Sequence, residues 1–330
     1  MKNRRNRGCL ITVAALLTGM LFAVPAQADL KGGAIKIGVL TDESGMLADM
    51  SGPGSIEAAR MAIEDFGSAV LGVPIQLVDA DHQNKAEIGA AIARKWFDAD
   101  GVDMITDLVN SSIALAVTDI GRSRGKITIP VTPGALELIG KQCSPTGALW
   151  DYDTYATSHA LARLLVESGK KSWFFIAADY AFGHSMVDQA KTAIEGAGGK
   201  VLGTVYNPLG TSDFSAYLLQ AQASGAQVIA LADSGSDLTN ALKQAHEFGI
   251  DQSQKLVGTI VAITDVRAMG LETAQGLTFF DRLLLGHGRS RPNMVATILP
   301  ESSRYADAVP SRRVFRRHSL PASRQGCRDG

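Results

Sequence analysis

The most constraining feature of the sequence is a regular alternation of two patterns. Short runs rich in Val, Ile and Leu, such as residues 35–40, 74–80, 103–108 and 127–131, are each followed by a segment whose apolar residues recur every three or four positions. Continuous apolar runs alternating with amphipathic helices are typical of parallel sheets covered by helices. The sequence therefore predicts an α/β fold, with a short helical segment at 135–139 after the fourth strand.

The alternation restarts after Trp150, with predicted helices at 154–168, 183–196, 213–224 and 237–248 and strands at 172–178, 200–206, 228–232 and 255–263. A chain of this length exceeds what one hydrophobic core usually organises. We therefore predict two doubly wound parallel-sheet lobes, at 29–150 and 151–285. Their strand order stays open. Ligands of such sheets bind beyond the carboxyl ends of the strands, so a cleft between the lobes is expected.

The first 28 residues have the pattern of a secretory signal peptide. Four basic residues within positions 2–7 precede an apolar run at 9–24, and Ala26 and Ala28 supply a small-x-small cleavage site. The run is shorter than the roughly 20 residues that span a bilayer, which favours a cleaved signal over an anchor. We expect the mature protein to begin near Asp29, in the periplasm, without membrane insertion.

The last 45 residues differ from the rest. Residues 29–285 contain twelve Lys and seven Arg, whereas residues 286–330 contain nine Arg and no Lys. The helix and strand periodicities also stop. A basic disordered tail is one interpretation. Our sharper hypothesis is a shift of reading frame, because a GC-rich gene read out of frame yields Arg, Ala, Pro, Ser and Gly.

Charge and motifs exclude several functions. The formal net charge of −1 argues against a nucleic-acid or anionic-membrane partner. No phosphate-binding loop or hydrolase elbow is present, and the glycines at 52 and 54 lie too far past the first strand for a dinucleotide site. Asp79, Asp81 and His82 could bind a metal, but capping of the next helix is the commoner role of such residues. We predict no enzyme activity, no cofactor and no metal.

Small polar residues follow several predicted strands. Ser111 and Ser112 follow the third strand, Thr132 and the residues up to Ala135 follow the fourth, and residues 233–236 follow a strand of the second lobe. Each group places hydroxyls and backbone N–H groups at a helix N-terminus, where a carboxylate is favoured. Ordinary helix capping explains any one of them equally well. Convergence on one cleft would favour ligand binding.

Taken in order, these segments resemble a known family. The segments are 35–40 with the long loop to Pro53, the Ser111–Ser112 turn, IPVTPGA at 129–135, ADYAFG at 178–183 and GTSDFS at 210–215. The chain resembles the type I periplasmic solute-binding proteins of ABC importers, the group that includes the leucine/isoleucine/valine binders and some binders of aromatic acids. The resemblance implies that two lobes close on a ligand and that the closed form docks on a membrane permease.

The resemblance also implies a ligand site. Ser111 or Ser112, with Thr132 and the backbone at Gly134 and Ala135, would hold a ligand carboxylate. The second lobe would close over it with Trp150, Phe182 and the turn formed by Asp233, Ser234 and Gly235.

The chain departs from the amino-acid binders of this family in three places. Leu136 stands where a Thr is usual, and Phe182 stands where a Tyr is usual. No acidic residue is evident near Val261 to bind an α-ammonium group, although Asp233 or Asp265 could substitute. An unpaired ammonium in a closed cleft is costly. The ligand expected is therefore an aromatic or other apolar carboxylate, rather than a standard amino acid.

The tail is a further departure, because family members normally continue back into the first lobe and complete it. We therefore expect one face of that lobe to lack its cover. Two other functions stay open at this stage: a ligand-sensing receptor module of the same fold and a Rossmann-type enzyme. The lack of a fused signalling unit disfavours the first, and the lack of a glycine-rich turn after the first strand disfavours the second.

Overall fold

The computed structural model of the protein describes residues 33–281 and 294–297. Within them the chain forms two largely parallel sheets, one from residues before the segment 131–153 and one from residues after it. We call each sheet, with the helices that pack on it, a lobe. The predicted signal peptide and most of the segment 286–330 lie outside the described residues, so those two expectations stay predictions.

The first lobe contains five strands and three α-helices. Its sheet has the order β2-β3-β1-β4-β5, with every neighbouring pair parallel except β2 and β3. The elements are β1 (Ile35–Thr41), α1 (Gly52–Phe66), β2 (Ala69–Val70), β3 (Val73–Asp81), α2 (Ala86–Lys95), β4 (Met104–Asp107), α3 (Ser111–Arg124) and β5 (Ile127–Pro130).

The second lobe contains a six-stranded sheet of order β11-β10-β9-β8-β6-β7, in which only β11 is antiparallel to its neighbour. Its elements are α4 (Thr154–Glu167), β6 (Ser172–Ala178), α5 (Ala181–Gly196), β7 (Lys200–Asn207), α6 (Ser215–Ala223), β8 (Val228–Ala232), α7 (Gly235–Glu247), β9 (Lys255–Gly258), α8 (Ile263–Met269), α9 (Leu271–Ala274), β10 (Thr278–Asp281) and β11 (Met294–Thr297).

Both faces of the second sheet are packed. Trp173 and Phe175 of β6 belong to one buried apolar cluster, whereas Phe174 and Ile176 belong to another on the opposite face. Because successive side chains of a strand point to opposite faces, a strand buried on both sides reads as a continuous apolar run. This is why the run at 172–178 is apolar at nearly every position.

In the part of the chain that the structure describes, only one face of the first sheet has such a core. Leu40 of β1 packs there against Ala93 of α2 and Ile113 of α3, in a cluster to which α1 contributes no residue. Among the described residues, α1 buries only Gly52 and Ile56 of its fifteen, and Phe66 is 66% exposed. Within the described ranges, the face of the first lobe beside α1 is therefore sparsely covered. That the altered tail leaves this face without its cover stays a prediction.

The topology places the carboxyl ends of four strands at the cleft. In the first sheet the order in which strands are added reverses at β1, because β3 lies on one side of it and β4 on the other. In the second sheet this order reverses at β6, which lies between β8 and β7. A crevice opens at such switch points because the loops on either side lead to opposite faces of the sheet. The loops after β1, β4, β6 and β8 are thus positioned to form a site.

Three local predictions need correction. The segment 135–139 is not a helix of α type but a single 3₁₀ turn at Leu136–Leu138, because Pro133 and Gly134 leave it only a few residues before the chain turns at Gly140. The strand predicted at 255–263 ends at Gly258, and α8 begins at Ile263. Within the segment for which no regular structure was expected, Met294–Thr297 pairs antiparallel with β10.

No helix within the described ranges is both long enough and apolar enough to cross a membrane.

Candidate functional site

A narrow cleft lies between the lobes, with about 230 Å³ of empty space that includes solvent at its open side. Residues from both lobes form its wall, and none of these side chains is charged. They are Leu47, Met50, Val109, Ser111, Thr132, Gly134, Tyr152, Tyr180, Phe182, Ser234 and Ile260.

Three helices direct their N-termini at the cleft. Ser111 is the first residue of α3, Tyr180 immediately precedes α5, and Ser234 immediately precedes α7. All three line the cleft. Each helix N-terminus carries a partial positive charge of about +0.5, and these three helices are 13 to 16 residues long. The cleft therefore favours an anion although it contains no basic side chain.

Two hydroxyls of the first lobe offer polar contacts. Thr132 Oγ1 is buried and has no hydrogen-bond partner among the residues that the structure describes. Ser111 Oγ accepts a hydrogen bond from the N–H of Ala135 over 3.4 Å, and because it is the acceptor there, its own proton can be donated to a ligand. Since a buried hydroxyl without a partner is costly, Thr132 is suited to bind a polar atom of a ligand.

The N-terminus of α3 is already partly capped. The Asn110 side chain accepts hydrogen bonds from the backbone N–H groups of Ser112 and Ile113, at 2.9 and 3.2 Å. These N–H groups are thus satisfied by the protein, and α3 contributes to the cleft through its dipole and through the hydroxyl of Ser111.

The rest of the wall is aromatic and aliphatic. The rings of Tyr180 and Phe182 lie 5.8 Å apart between centroids, tilted by 39°. Burial raises the pKa of both Tyr152 and Tyr180 above the usual value for a phenol, so both hydroxyls stay protonated. Gly134 allows Tyr152 to approach, because a Cβ at position 134 would lie 2.9 Å from that ring. The wall suits a flat, apolar body.

An acidic pair lies behind this wall and not in it. Asp233 is fully buried, and its carboxyl accepts a hydrogen bond from Asn207 Nδ2 at 3.0 Å. Burial raises the pKa of Asp233 to about 8 and that of Asp237 to about 6. At neutral pH Asp233 is therefore largely uncharged. It does not supply the negative charge that an ammonium group requires.

Asp42, Asp81 and His82 bring potential metal ligands within 4.8 Å of one another. Most of their atoms already make hydrogen bonds within the protein, although His82 Nε2 is buried without a partner among the described residues. Asp42 accepts hydrogen bonds from the N–H groups of Gly45 and Leu47, Asp81 from those of Glu43 and Gln83, and His82 Nδ1 from that of Asn84. Burial lowers the pKa of His82 to about 4, so it is neutral. This cluster shapes the loop after β1.

The comparison with known protein families decides the lineage. A sequence profile described as periplasmic binding protein matches residues 34–283, well over half of the 330-residue chain. The chain belongs to the periplasmic binding protein family.

Individual relatives agree with this membership. A periplasmic binding protein of solved structure from Burkholderia mallei is 44% identical, with a TM-score of 0.75, over 78% of this chain and 68% of that one. Leu/Ile/Val-binding protein homolog 6 of Brucella melitensis is 27% identical over 276 residues, covering 82% of this chain and 69% of the relative. A solute-binding protein of an R. palustris ABC transporter, solved with benzoate, is 19% identical, with a TM-score of 0.69, over 78% of this chain and 71% of that one; at that identity the likeness concerns the fold alone.

These relatives are substrate-binding proteins and not enzymes. The expectations of a type I periplasmic binding protein fold and of a protein without enzymatic activity are thereby confirmed.

The structure places half of the predicted ligand residues of this periplasmic binding protein at the cleft. Ser111, Thr132, Gly134, Phe182 and Ser234 line it. Ala135 is buried beside it and bonds to Ser111.

The other predicted residues lie elsewhere. Ser112 accepts a hydrogen bond from the N–H of Ala181 in the opposite lobe. Asp233 lies behind the wall, and Gly235 packs against the backbone of Met46.

Trp150 needs a correction, because its side chain is 75% exposed and does not line the cleft. Its backbone N–H donates to the carbonyl of Pro130 over 2.9 Å, so residues 148–150 run beside β5 as an added extended segment. The side chain points outward from that segment, and Tyr152, two residues later, forms the wall instead.

The sequence analysis missed six residues of the wall: Leu47, Met50, Val109, Tyr152, Tyr180 and Ile260. Tyr180 lies inside the ADYAFG segment, where the pattern pointed to Phe182 only. Leu47 and Met50 lie in the long loop after β1, whose apolar residues were available as a signal because solvent-exposed loops are usually polar.

Proposed function

We propose that the protein is the extracytoplasmic solute-binding component of an ABC importer. We further propose that its ligand is a small carboxylate with a flat apolar body and no ammonium group. The family membership supports the first part. The second part rests on one observation: three helix N-termini converge on a cleft whose wall contains no charged side chain.

The carboxylate would bind at the first-lobe side of the cleft. Thr132 Oγ1 and Ser111 Oγ are the hydroxyls that lie there, beside the N-terminus of α3. Hydrogen bonds to a charged group are worth about 1.5–3 kcal/mol each. The apolar body would lie between Leu47 and Met50 of the first lobe and the rings of Tyr180 and Phe182 of the second.

The same wall disfavours an amino acid. An α-ammonium group in the closed cleft would lie near three positive helix ends and no ionised carboxylate of the wall. Leaving such a charge unpaired costs several kcal/mol. Two acidic residues could substitute, Asp233 and Asp265, and neither forms part of the wall. Asp233 is fully buried, and that burial holds it largely neutral. The benzoate complex of the R. palustris protein supports the idea that this fold can hold a ligand of the proposed type.

Isothermal titration calorimetry with benzoate and its neutral isostere benzamide tests the preference for an anion. We expect benzoate to bind at least about tenfold more tightly, equivalent to 1.4 kcal/mol. Equal affinities would refute the role of the helix N-termini.

Thr132→Val removes the unpartnered hydroxyl while keeping the shape of the side chain, and we expect a loss of affinity for benzoate but not for benzamide. Thr192→Val, at an exposed position of α5, is the matched control.

Delivery to a permease requires export of the protein. We expect the full chain, expressed in a Gram-negative host, to be released by osmotic shock with Asp29 as its first residue. Retention in the cytoplasm with Met1 intact would contradict the periplasmic location.

A further inference from the structure

The loop after β1 contacts the second lobe directly, in a place where no side chain intervenes. Gly235, the first residue of α7, lies against the backbone carbonyl of Met46. A Cβ at position 235 would lie only 2.0 Å from Met46 O and 3.0 Å from the carbonyl carbon. The N–H of Ser236 donates to the same oxygen over 3.3 Å. The two lobes thus meet through backbone atoms at this point.

The carbonyl of Met46 is held in place by its neighbours. The N–H groups of Gly45 and Leu47, on either side of Met46, donate to the buried carboxylate of Asp42 at 3.0 and 2.9 Å. Leu47 is itself buried and lines the cleft. The loop therefore presents a fixed oxygen to the second lobe and does not yield easily to an added methyl group.

A second contact also joins the lobes. Ser112 Oγ, in the first turn of α3, accepts a hydrogen bond from the N–H of Ala181, the first residue of α5, over 3.4 Å. The first-turn N–H groups of a helix have no partner within the helix. Two helix N-termini of the second lobe, those of α5 and α7, thus donate to oxygen atoms of the first lobe.

We propose that Met46 O and Gly235 form a closure latch, in which the missing side chain at position 235 permits the lobes to close. Both hydrogen bonds, at 3.3 and 3.4 Å, are longer than usual N–H···O bonds and therefore weak. The close fit of backbone against backbone at Gly235 therefore determines whether closure occurs. Gly235 and Asp42 act in this scheme as positioning residues. Their effect on affinity rests on the proposed function, whereas the latch itself does not require a ligand.

The chain offers a matched pair of glycines to test the latch. Gly235 has φ 59° and Gly225 has φ 63°, so replacement by Ala imposes a similar backbone cost at each. A Cβ at position 225 has nothing within 4 Å. Both lie in the second lobe, and only Gly235→Ala would collide with the opposite lobe.

The readout is hydrogen exchange of single amides in the full-length mature protein without ligand. We expect the Ser236 amide to be protected in the wild type and in Gly225→Ala, and to exchange at least roughly tenfold faster in Gly235→Ala. If closure is the binding-competent state, a tenfold fall in its population weakens ligand affinity by the same factor. Benzoate titration should therefore show a roughly tenfold weaker affinity for Gly235→Ala only.

An unprotected Ser236 amide in the wild type would overturn the latch, as would equal exchange in the two variants. Ser112→Ala is a second test that does not disturb position 235. It should speed exchange at Ala181, whose N–H donates to Ser112 Oγ, and leave Ser236 protected.

If the latch behaves as proposed but no carboxylate binds, the proposed ligand class fails and the latch stands. If benzoate binds equally to Gly235→Ala and Gly225→Ala, the latch fails and the ligand class stands.

Discussion

The buried carboxyl of Asp233 makes stability depend on pH in a predictable direction. Its pKa is about 8 in the folded protein against 3.8 for an exposed Asp. Between these values the folded state holds a proton that the unfolded state has lost. The stability that this proton contributes is complete below pH 3.8 and is lost as the pH rises through 8.

The size of the effect follows from the shift. One pKa unit corresponds to 1.36 kcal/mol, and integrating the linkage relation for this pair of pKa values gives a loss of about 2 kcal/mol between pH 6 and pH 8. Asp233→Asn cannot ionise but keeps an oxygen to accept the hydrogen bond from Asn207 Nδ2. Its stability should therefore change little over the same interval.

Other buried carboxyls also make stability depend on pH, but over a lower pH range. Burial raises the pKa of Asp107, Asp237 and Asp265 to about 6 each. Their contributions are lost mainly between pH 4 and pH 6 and are shared by the wild type and the variant. The difference between the two proteins above pH 6 thus isolates Asp233.

The assay is urea unfolding at pH 6, 7 and 8, followed by tryptophan fluorescence. We expect the free energy of unfolding of the wild type to fall by about 2 kcal/mol relative to Asp233→Asn over this interval. Asp188→Asn, at an exposed position of α5, should show the same pH dependence of the free energy of unfolding as the wild type. A constant difference between the wild type and Asp233→Asn from pH 6 to pH 8 would show that Asp233 is ionised throughout, and the case against an amino-acid ligand would lose its support.

Three further predictions concern single side chains. Phe182 is buried in a core cluster and lines the cleft, so Phe182→Ala should cost about 3–5 kcal/mol in chemical denaturation and abolish ligand binding in calorimetry; a variant with full affinity would remove Phe182 from the site. Trp150→Ala should leave affinity unchanged because that side chain is 75% exposed, whereas Tyr152→Ala should weaken it; the reverse order would restore the role expected for Trp150. Gly183→Ala should destabilise the protein by at least about 2 kcal/mol, because its Cβ would lie 2.0 Å from the carbonyl oxygen of Ala178. The control is Gly196→Ala in the same helix, where a Cβ would have nothing within 4 Å. Equal melting temperatures of the two variants would contradict a steric clash at position 183.

The sequence was informative about elements and weak about their arrangement. Hydrophobic periodicity reports which side of a helix or strand is buried, and that is a local property. It therefore predicted α4, β6 and α5 almost to their ends. The order of strands depends on which apolar faces meet in space, and periodicity does not record that. The short strands β2 and β11, each paired antiparallel at a sheet edge, have too few residues to show a period.

For the site, the rule that ligands lie beyond the carboxyl ends of strands predicted Ser111, Thr132 and Ser234 correctly as residues of the cleft wall. Trp150, which the family resemblance suggested, does not line the cleft, because the direction of that side chain depends on how residues 148–150 pair with β5. The strand-end rule also missed Leu47 and Met50, because the loop that carries them is shaped by hydrogen bonds to Asp42 from residues close to it in sequence. Such side-chain bonds leave no periodic signal.

The measurement that tests the central claim most directly compares ligands that differ only by the α-ammonium group. We would titrate the purified protein at pH 7 with 3-phenylpropanoate and L-phenylalanine, and with 4-methylpentanoate and L-leucine. An uncharged wall at the meeting point of three helix N-termini predicts that in each pair the carboxylate without the ammonium group binds more tightly, by at least about tenfold. Tighter binding of the amino acid in either pair, or no binding of any of the four, would contradict the account.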